Sequence, residues 1–154
     1  AASVALIFTV PMVQVFINSD HGLAGYDKMP EALATGVAAL AGGAWPILAT
    51  FIGGLGAFVA GSNTMSNMML SLFQFETAKQ IGADPSWIVA LQAVGGAAGN
   101  MITVHNVVAA GATVGLVGEE GRLIRITLLP MIVYLLVAGL VGMLFAQGIM
   151  PEPF

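Results

Sequence analysis

An all-α, polytopic integral membrane protein is the fold class this sequence predicts, and three observations predict it. Hydrophobic residues make up 58% of the 154-residue chain and charged residues 8%, against about 25% charged in a soluble domain. The four Lys/Arg and eight Asp/Glu fall at positions 20–31, 76–84, 119–125 and 152, leaving 1–19, 32–75, 85–118 and 126–151 uncharged. Crossing ~30 Å of hydrocarbon takes roughly 20 residues of helix, so at least three of these stretches suffice. Finally, the uncharged run from Ala32 to Phe75 is interrupted by Gly61-Ser62-Asn63-Thr64. A polar, helix-breaking centre at bilayer depth is costly unless it lines a cavity or is buried in protein.

Residues 1–17 read as a membrane helix kinked at Pro11. No basic region precedes it, so it lacks the form of a signal peptide, and a start in mid-helix suggests a piece of a longer chain. A polar loop from Asn18 to Met29 carries Asp20, His21, Asp27 and Lys28. Pro30 suits the first turn of a short helix, 30–41, which Gly42-Gly43 ends.

The segment 45–80 divides into two arms, Trp45 to Ala60 and Met65 to Gln80, each ~24 Å long at 1.5 Å per residue and short of a full crossing. They predict a re-entrant hairpin that returns to its own side of the bilayer, with Trp45 and Trp87 at the interface that tryptophan favours. One broken helix that crosses is the competing topology.

Asp84-Pro85 places an N-cap before a proline suited to the first helical position. The following segment, 85–117, is too long for a straight crossing. Gly95-Gly96-Ala97-Ala98-Gly99-Asn100 predicts a break within it, because glycine costs about 1 kcal/mol against alanine in a helix interior. Gly118-Glu119-Glu120-Gly121 then leads into a last membrane helix, 122–147, and Arg122 and Arg125 favour a cytoplasmic loop by the positive-inside rule. The whole reads as a single transmembrane domain.

Function classes narrow accordingly. The chain has no cysteine, which excludes disulfides and thiolate metal sites. A net charge of −4, dispersed along the chain, gives no nucleic-acid footprint, and no cofactor is expected.

The first break carries the chemistry. Asn63 or Thr64 can cap a helix beginning at Met65, with Asn67 in its first turn. Free N–H groups and the positive end of the helix dipole then converge with Ser62, Asn63 and Thr64 on the tip. An anion such as a carboxylate is the natural occupant, while the side-chain oxygens suit a cation. Capping of two helices that meet inside protein is the reading without a ligand. Gly99 and Asn100 close the second break, and Thr103, His105 and Asn106 follow. They form either a second wall of one solute site or interhelical hydrogen bonds. Histidine changes charge near neutral pH, which makes His105 the candidate proton carrier. The Gly95-x-x-x-Gly99 and Gly111-x-x-x-Gly115 spacings are read as helix packing.

The strings GSNTMSNMMLSLFQ (61–74) and ALQAVGGAAGNMITVHNVVAAGATVGLVGEEG (90–121) resemble the C-terminal region of the L-lactate permease family. The similarity runs from about Asn18 to Leu144. It implies that these residues are the C-terminal portion of a longer permease. Its implied function is the import of lactate, and of glycolate, with protons across the cytoplasmic membrane. Ser62-Asn63-Thr64 also resembles the hairpin tips of sodium-coupled dicarboxylate transporters, which leaves sodium as the alternative coupling ion. The implied architecture is a pair of inverted repeats, each with a hairpin and a broken helix, with substrate between them. This chain supplies one repeat, and the missing N-terminal repeat is its partner. In that setting the tip takes the carboxylate of a 2-hydroxy monocarboxylate, and Asn100 or Asn106 takes the hydroxyl.

Two other classes compete. An intramembrane hydrolase would use Ser62 as nucleophile and His105 as base, but the serine lacks a Gly-x-Ser-x-Gly setting. A passive membrane scaffold predicts that changing the tip alters stability and produces no solute response.

Overall fold

The computed structural model describes residues 2–19, 25 and 27–146. Asp20 and His21 of the expected polar loop lie outside the described residues, as does Gln147, the expected end of the last helix. Among the described residues the regular secondary structure is all helical, with no strand. The helices are α1 (Ala2–Ile17), α2 (Met29–Ala41), α3 (Trp45–Ala60), α4 (Asn63–Ile81), α5 (Pro85–Gly99), α6 (Val104–Thr113) and α7 (Glu120–Ala146).

Two stretches are long and apolar enough to cross a membrane, Met29–Ala60 and Glu120–Ala146. A third qualifies if α5 and α6, bent by 43° at their junction, count as one span. The first arises because Gly42-Gly43 does not isolate α2. A 3-10 turn over Gly42–Ala44 carries the chain directly from α2 into α3.

Contacts fix the helix directions. Trp45 at the start of α3 meets Phe73 of α4 edge-to-face, with ring centroids 5.6 Å apart. Further along, Ser66 of α4 bonds the Gly53 carbonyl of α3, so α3 and α4 form an antiparallel hairpin closed at 61–62. α5 runs parallel to α3 and in backbone contact with it. A side chain at Gly95 would strike the Thr50 backbone, and one at Gly99 the Gly54 backbone. α7 runs antiparallel to both, with Gly139 against Ile47, Gly142 against Leu91 and Phe145 stacked on Trp87. The Thr50 hydroxyl donates to the Leu135 carbonyl (3.0 Å), tying α3 to α7.

Three expectations are corrected here. The glycines of 95–99 do not break the helix, because the close approach of α3 uses their missing side chains. The break falls at Asn100–Thr103 instead, beyond the last backbone contact. Trp45 is not an interfacial anchor, since it is 1% exposed and packs in the core with Ala49, Phe73, Ala78, Ile88 and Leu91. Finally, α4 begins at Asn63 rather than Met65, with Ser62 as N-cap, which places Asn67 in the second turn.

Candidate functional site

The hairpin tip and the α5–α6 break come together. Gly61 ends α3 in the left-handed region (φ +75°), a backbone that favours glycine. Ser62 then turns the chain in extended conformation into α4. The His105 ring lies against Gly61, with Cε1 3.2 Å from where a Cβ would stand. On the other side of the tip, Asn63 Oδ1 lies against the α-carbon of Gly96 in α5, where any side chain would displace it. Asn63 Oδ1 also accepts a hydrogen bond from Asn67 Nδ2 (3.3 Å), one turn further along α4. Across the break, Asn106 Nδ2 donates to the Asn100 carbonyl (3.3 Å).

The His105–Gly61 contact thus brings the first turn of α6 to the tip that opens α4, and neither helix is capped by its own side chain. Ser62 precedes α4 and makes no cap hydrogen bond. Thr103 precedes α6, but its hydroxyl donates backwards to the Gly99 carbonyl (3.1 Å). The N–H groups of Asn63, Thr64 and Met65, and of Val104, His105 and Asn106, are left without a helical acceptor. α5 shows the contrast. Asp84 caps it with one carboxylate oxygen, which accepts from Ser86 N (2.7 Å) and Trp87 N (3.4 Å). A carboxylate arriving at the tip can do for α4 and α6 what Asp84 does for α5.

The remaining polarity is of opposite sense. The side-chain oxygens Asn67 Oδ1 and Asn100 Oδ1 are buried without a hydrogen-bond partner among the described residues. Each is an acceptor awaiting a donor or a cation, because a buried unpaired carbonyl costs roughly 1–3 kcal/mol. The region thus offers main-chain donors at the helix ends and amide acceptors nearby, a combination suited to a solute with an anionic group and a hydroxyl.

Of the residues singled out from sequence, Ser62, Asn63, Asn67 and Asn100 are half-buried around the tip, while Thr64, His105 and Asn106 are exposed. Gly99 is turned into the α3 contact with Gly54. No hydrogen bond joins Ser62 to His105 among the described residues. The same residues contain no cluster of three or more His, Cys, Asp or Glu able to hold a metal ion. Sequence reasoning missed Ser66, Gln74 and Gln92, which are fully buried and hydrogen-bonded to one another through the core. The signal was available, since uncharged polar side chains inside membrane-length apolar segments rarely face lipid.

The L-lactate permease family profile matches residues 1–149. The chain is 33% identical over 140 residues to the L-lactate permease of Escherichia coli K12, covering 91% of this chain and 24% of that protein. It is 35% identical over 140 residues to the glycolate permease of the same organism, with the same coverage. To the L-lactate permease of Bacillus subtilis it is 38% identical over 90 residues, covering 58% of this chain and 16% of that protein. The chain thus spans about a quarter of the length of the Escherichia coli relatives it matches. No solved structure matches it. With a helical membrane architecture and a family profile covering nearly its full length, this chain belongs to the L-lactate permease family.

Proposed function

We propose that the protein to which this chain belongs imports L-lactate and related 2-hydroxy monocarboxylates such as glycolate across the cytoplasmic membrane by proton symport. One observation carries the reading: α4 and α6 both begin without a side-chain cap, and the His105–Gly61 contact brings the start of α6 to the hairpin tip, where helix ends of that kind bind anions. The carboxylate takes the N–H groups of 63–65 and 104–106 with Ser62, Asn63 and Thr64. The hydroxyl donates to Asn100 Oδ1, which has no hydrogen-bond partner among the described residues, with Asn67 and Asn106 alongside. The names of the relatives, lactate permease and glycolate permease, support this substrate class. His105, lying on the tip at Gly61, is the proton-coupling group.

The hairpin is re-entrant in this reading, with its tip at the bilayer midplane, as discontinuous helices of transporters place their substrate sites. Alternating access then moves this repeat against an inverted N-terminal repeat. A sodium-coupled reading rests on the side-chain carbonyl oxygens of Asn67 and Asn100, which have no hydrogen-bond partner among the described residues and suit a cation as well as a hydroxyl.

The deciding experiment is uptake of labelled L-lactate by the full-length parent in proteoliposomes, first with an imposed proton gradient and then with a sodium gradient. Proton-driven accumulation is expected, and accumulation with sodium alone would transfer the assignment to the cation reading. Asn63→Ala is expected to abolish uptake while leaving membrane insertion intact. Unchanged kinetics in that variant would remove the tip from the site.

A further inference from the structure

Trp45, Gln74, Gln92 and Ser66 form a single directed file through the core. Trp45 Nε1 donates to Gln74 Oε1 (2.9 Å), and Gln74 Nε2 donates to Gln92 Oε1 (2.9 Å). Gln92 Nε2 donates to Ser66 Oγ (3.0 Å), and the Ser66 hydroxyl donates to the Gly53 carbonyl (3.0 Å). Ser66, Gln74 and Gln92 are 0% exposed. The direction is forced by the two ends, because an indole N–H only donates and a peptide carbonyl only accepts. Both glutamines must therefore receive on oxygen and give through nitrogen.

The file ends where three backbones crowd together, one turn below the tip. A side chain at Gly56 would strike Ser66 Oγ, and one at Gly53 would strike the Gln92 carbonyl. Ser66 itself lies three residues after Asn63 and next to Asn67. A helix turns 100° and rises 1.5 Å per residue, so a slip of α4 by one residue swings Ser66 away from Gln92 and turns Asn63 and Asn67 with it. Apolar contacts tolerate such a slip far better than a directed file does. Buried polar groups are best attested in this register-setting role.

We propose that Ser66 and Gln92 are positioning residues. They hold α4 in the one register that presents Asn63, Asn67 and the free N–H groups to the tip, acting through the file anchored at Trp45. The inference deepens the transport reading and rests on it for its consequence in uptake, while its geometric content is tested separately.

The test uses the full-length parent stripped of cysteine elsewhere, with Thr64→Cys at the exposed start of α4 as reporter. Two readouts are taken: the rate of labelling by a small thiol reagent in that background, and the KM and maximal rate of lactate uptake in the parent without the reporter, because Thr64 itself stands in the proposed site. Gln92→Leu and Ser66→Ala are expected to change the labelling rate on the order of tenfold, and to raise KM by a similar factor with a smaller loss of maximal rate. Gln92→Glu supplies the discriminating signature. Protonated, the carboxyl accepts from Gln74 and donates to Ser66 as glutamine does; ionised, it has no proton to give.

Labelling of the Gln92→Glu variant, normalised at each pH to the reporter protein carrying Thr64→Cys alone, should return to the reporter's rate as pH falls. Gln92→Leu should show no such return. The charged groups of the packed elements are few. α3 and α5 carry none within their spans, α4 has Glu76 and Lys79 paired at 3.1 Å, α7 has Glu120, Arg122 and Arg125 in its first turns, and His105 of α6 lies on Gly61. Labelling unchanged from the reporter together with KM unchanged from the parent in Gln92→Leu, or pH-independent labelling in Gln92→Glu, would overturn the assignment. If the parent fails to take up lactate, the transport reading falls, and the labelling arm still decides whether the file positions the tip.

Discussion

Replacing Gly95 by alanine sets two physical effects against each other at one carbon atom. On helix propensity alone the change stabilises by about 1 kcal/mol, since glycine is the costlier residue in a helix interior. The structure reverses that sign. A Cβ at Gly95 falls on the Thr50 carbonyl, with the Thr50 carbon at 2.7 Å and Cα at 2.8 Å, whereas ordinary contact begins near 3.4 Å. Both partners are backbone, so no flexible side chain can yield, and α3 and α5 must separate by roughly 0.7 Å or more along a contact repeated at Gly53 and Gly99. Overpacking of this kind costs about 1–3 kcal/mol. The net expectation is a loss of up to about 2 kcal/mol, read in a parent several-fold longer than this chain as a Tm decrease of less than about 2 °C for each kcal/mol. Gly36→Ala is the control, because Gly36 lies in α2 with nothing within 4 Å of its would-be Cβ, and it should gain a few tenths to 1 kcal/mol. The assay is thermal unfolding of the purified full-length parent and both variants in one detergent. A Tm for Gly95→Ala at or above that of Gly36→Ala would refute the claim that α3 and α5 meet backbone to backbone.

Two further outcomes follow from the same geometry. Gly61→Ala places a side chain at φ +75° and against the His105 ring, so it should destabilise by about 1–2 kcal/mol and depress uptake, read as a lowered Tm together with a lowered initial rate. Trp45→Phe keeps the aromatic packing on Phe73 but removes the donor to Gln74 Oε1. It should cost roughly 1–3 kcal/mol, measurable as a Tm decrease that Gln74→Leu in the same background does not deepen.

Much of the helical plan was legible because the signals are local. Charge-free stretches marked the apolar segments, Asp84-Pro85 marked a helix start that the Asp84 carboxylate does cap, and Gly61-Ser62 marked a turn that the backbone makes. The second break was misplaced for a physical reason. Glycine's propensity penalty is a property of an isolated helix, and the contact with α3 at Gly95 and Gly99 outweighs it. Trp45 was misread because tryptophan's preference for an interface is a statistical tendency, while its indole N–H here finds Gln74 inside the core.

Composition and hydropathy by themselves determined that this chain is a helical membrane protein, and long residue strings determined its family, because burial in lipid and descent both leave marks along the chain. Which residues stand together was decided only by tertiary structure. His105 meets Gly61 across 44 positions of sequence and Gln92 meets Ser66 across 26. Such pairs depend on helix direction and rotation, and those are set by how small residues let backbones close on one another.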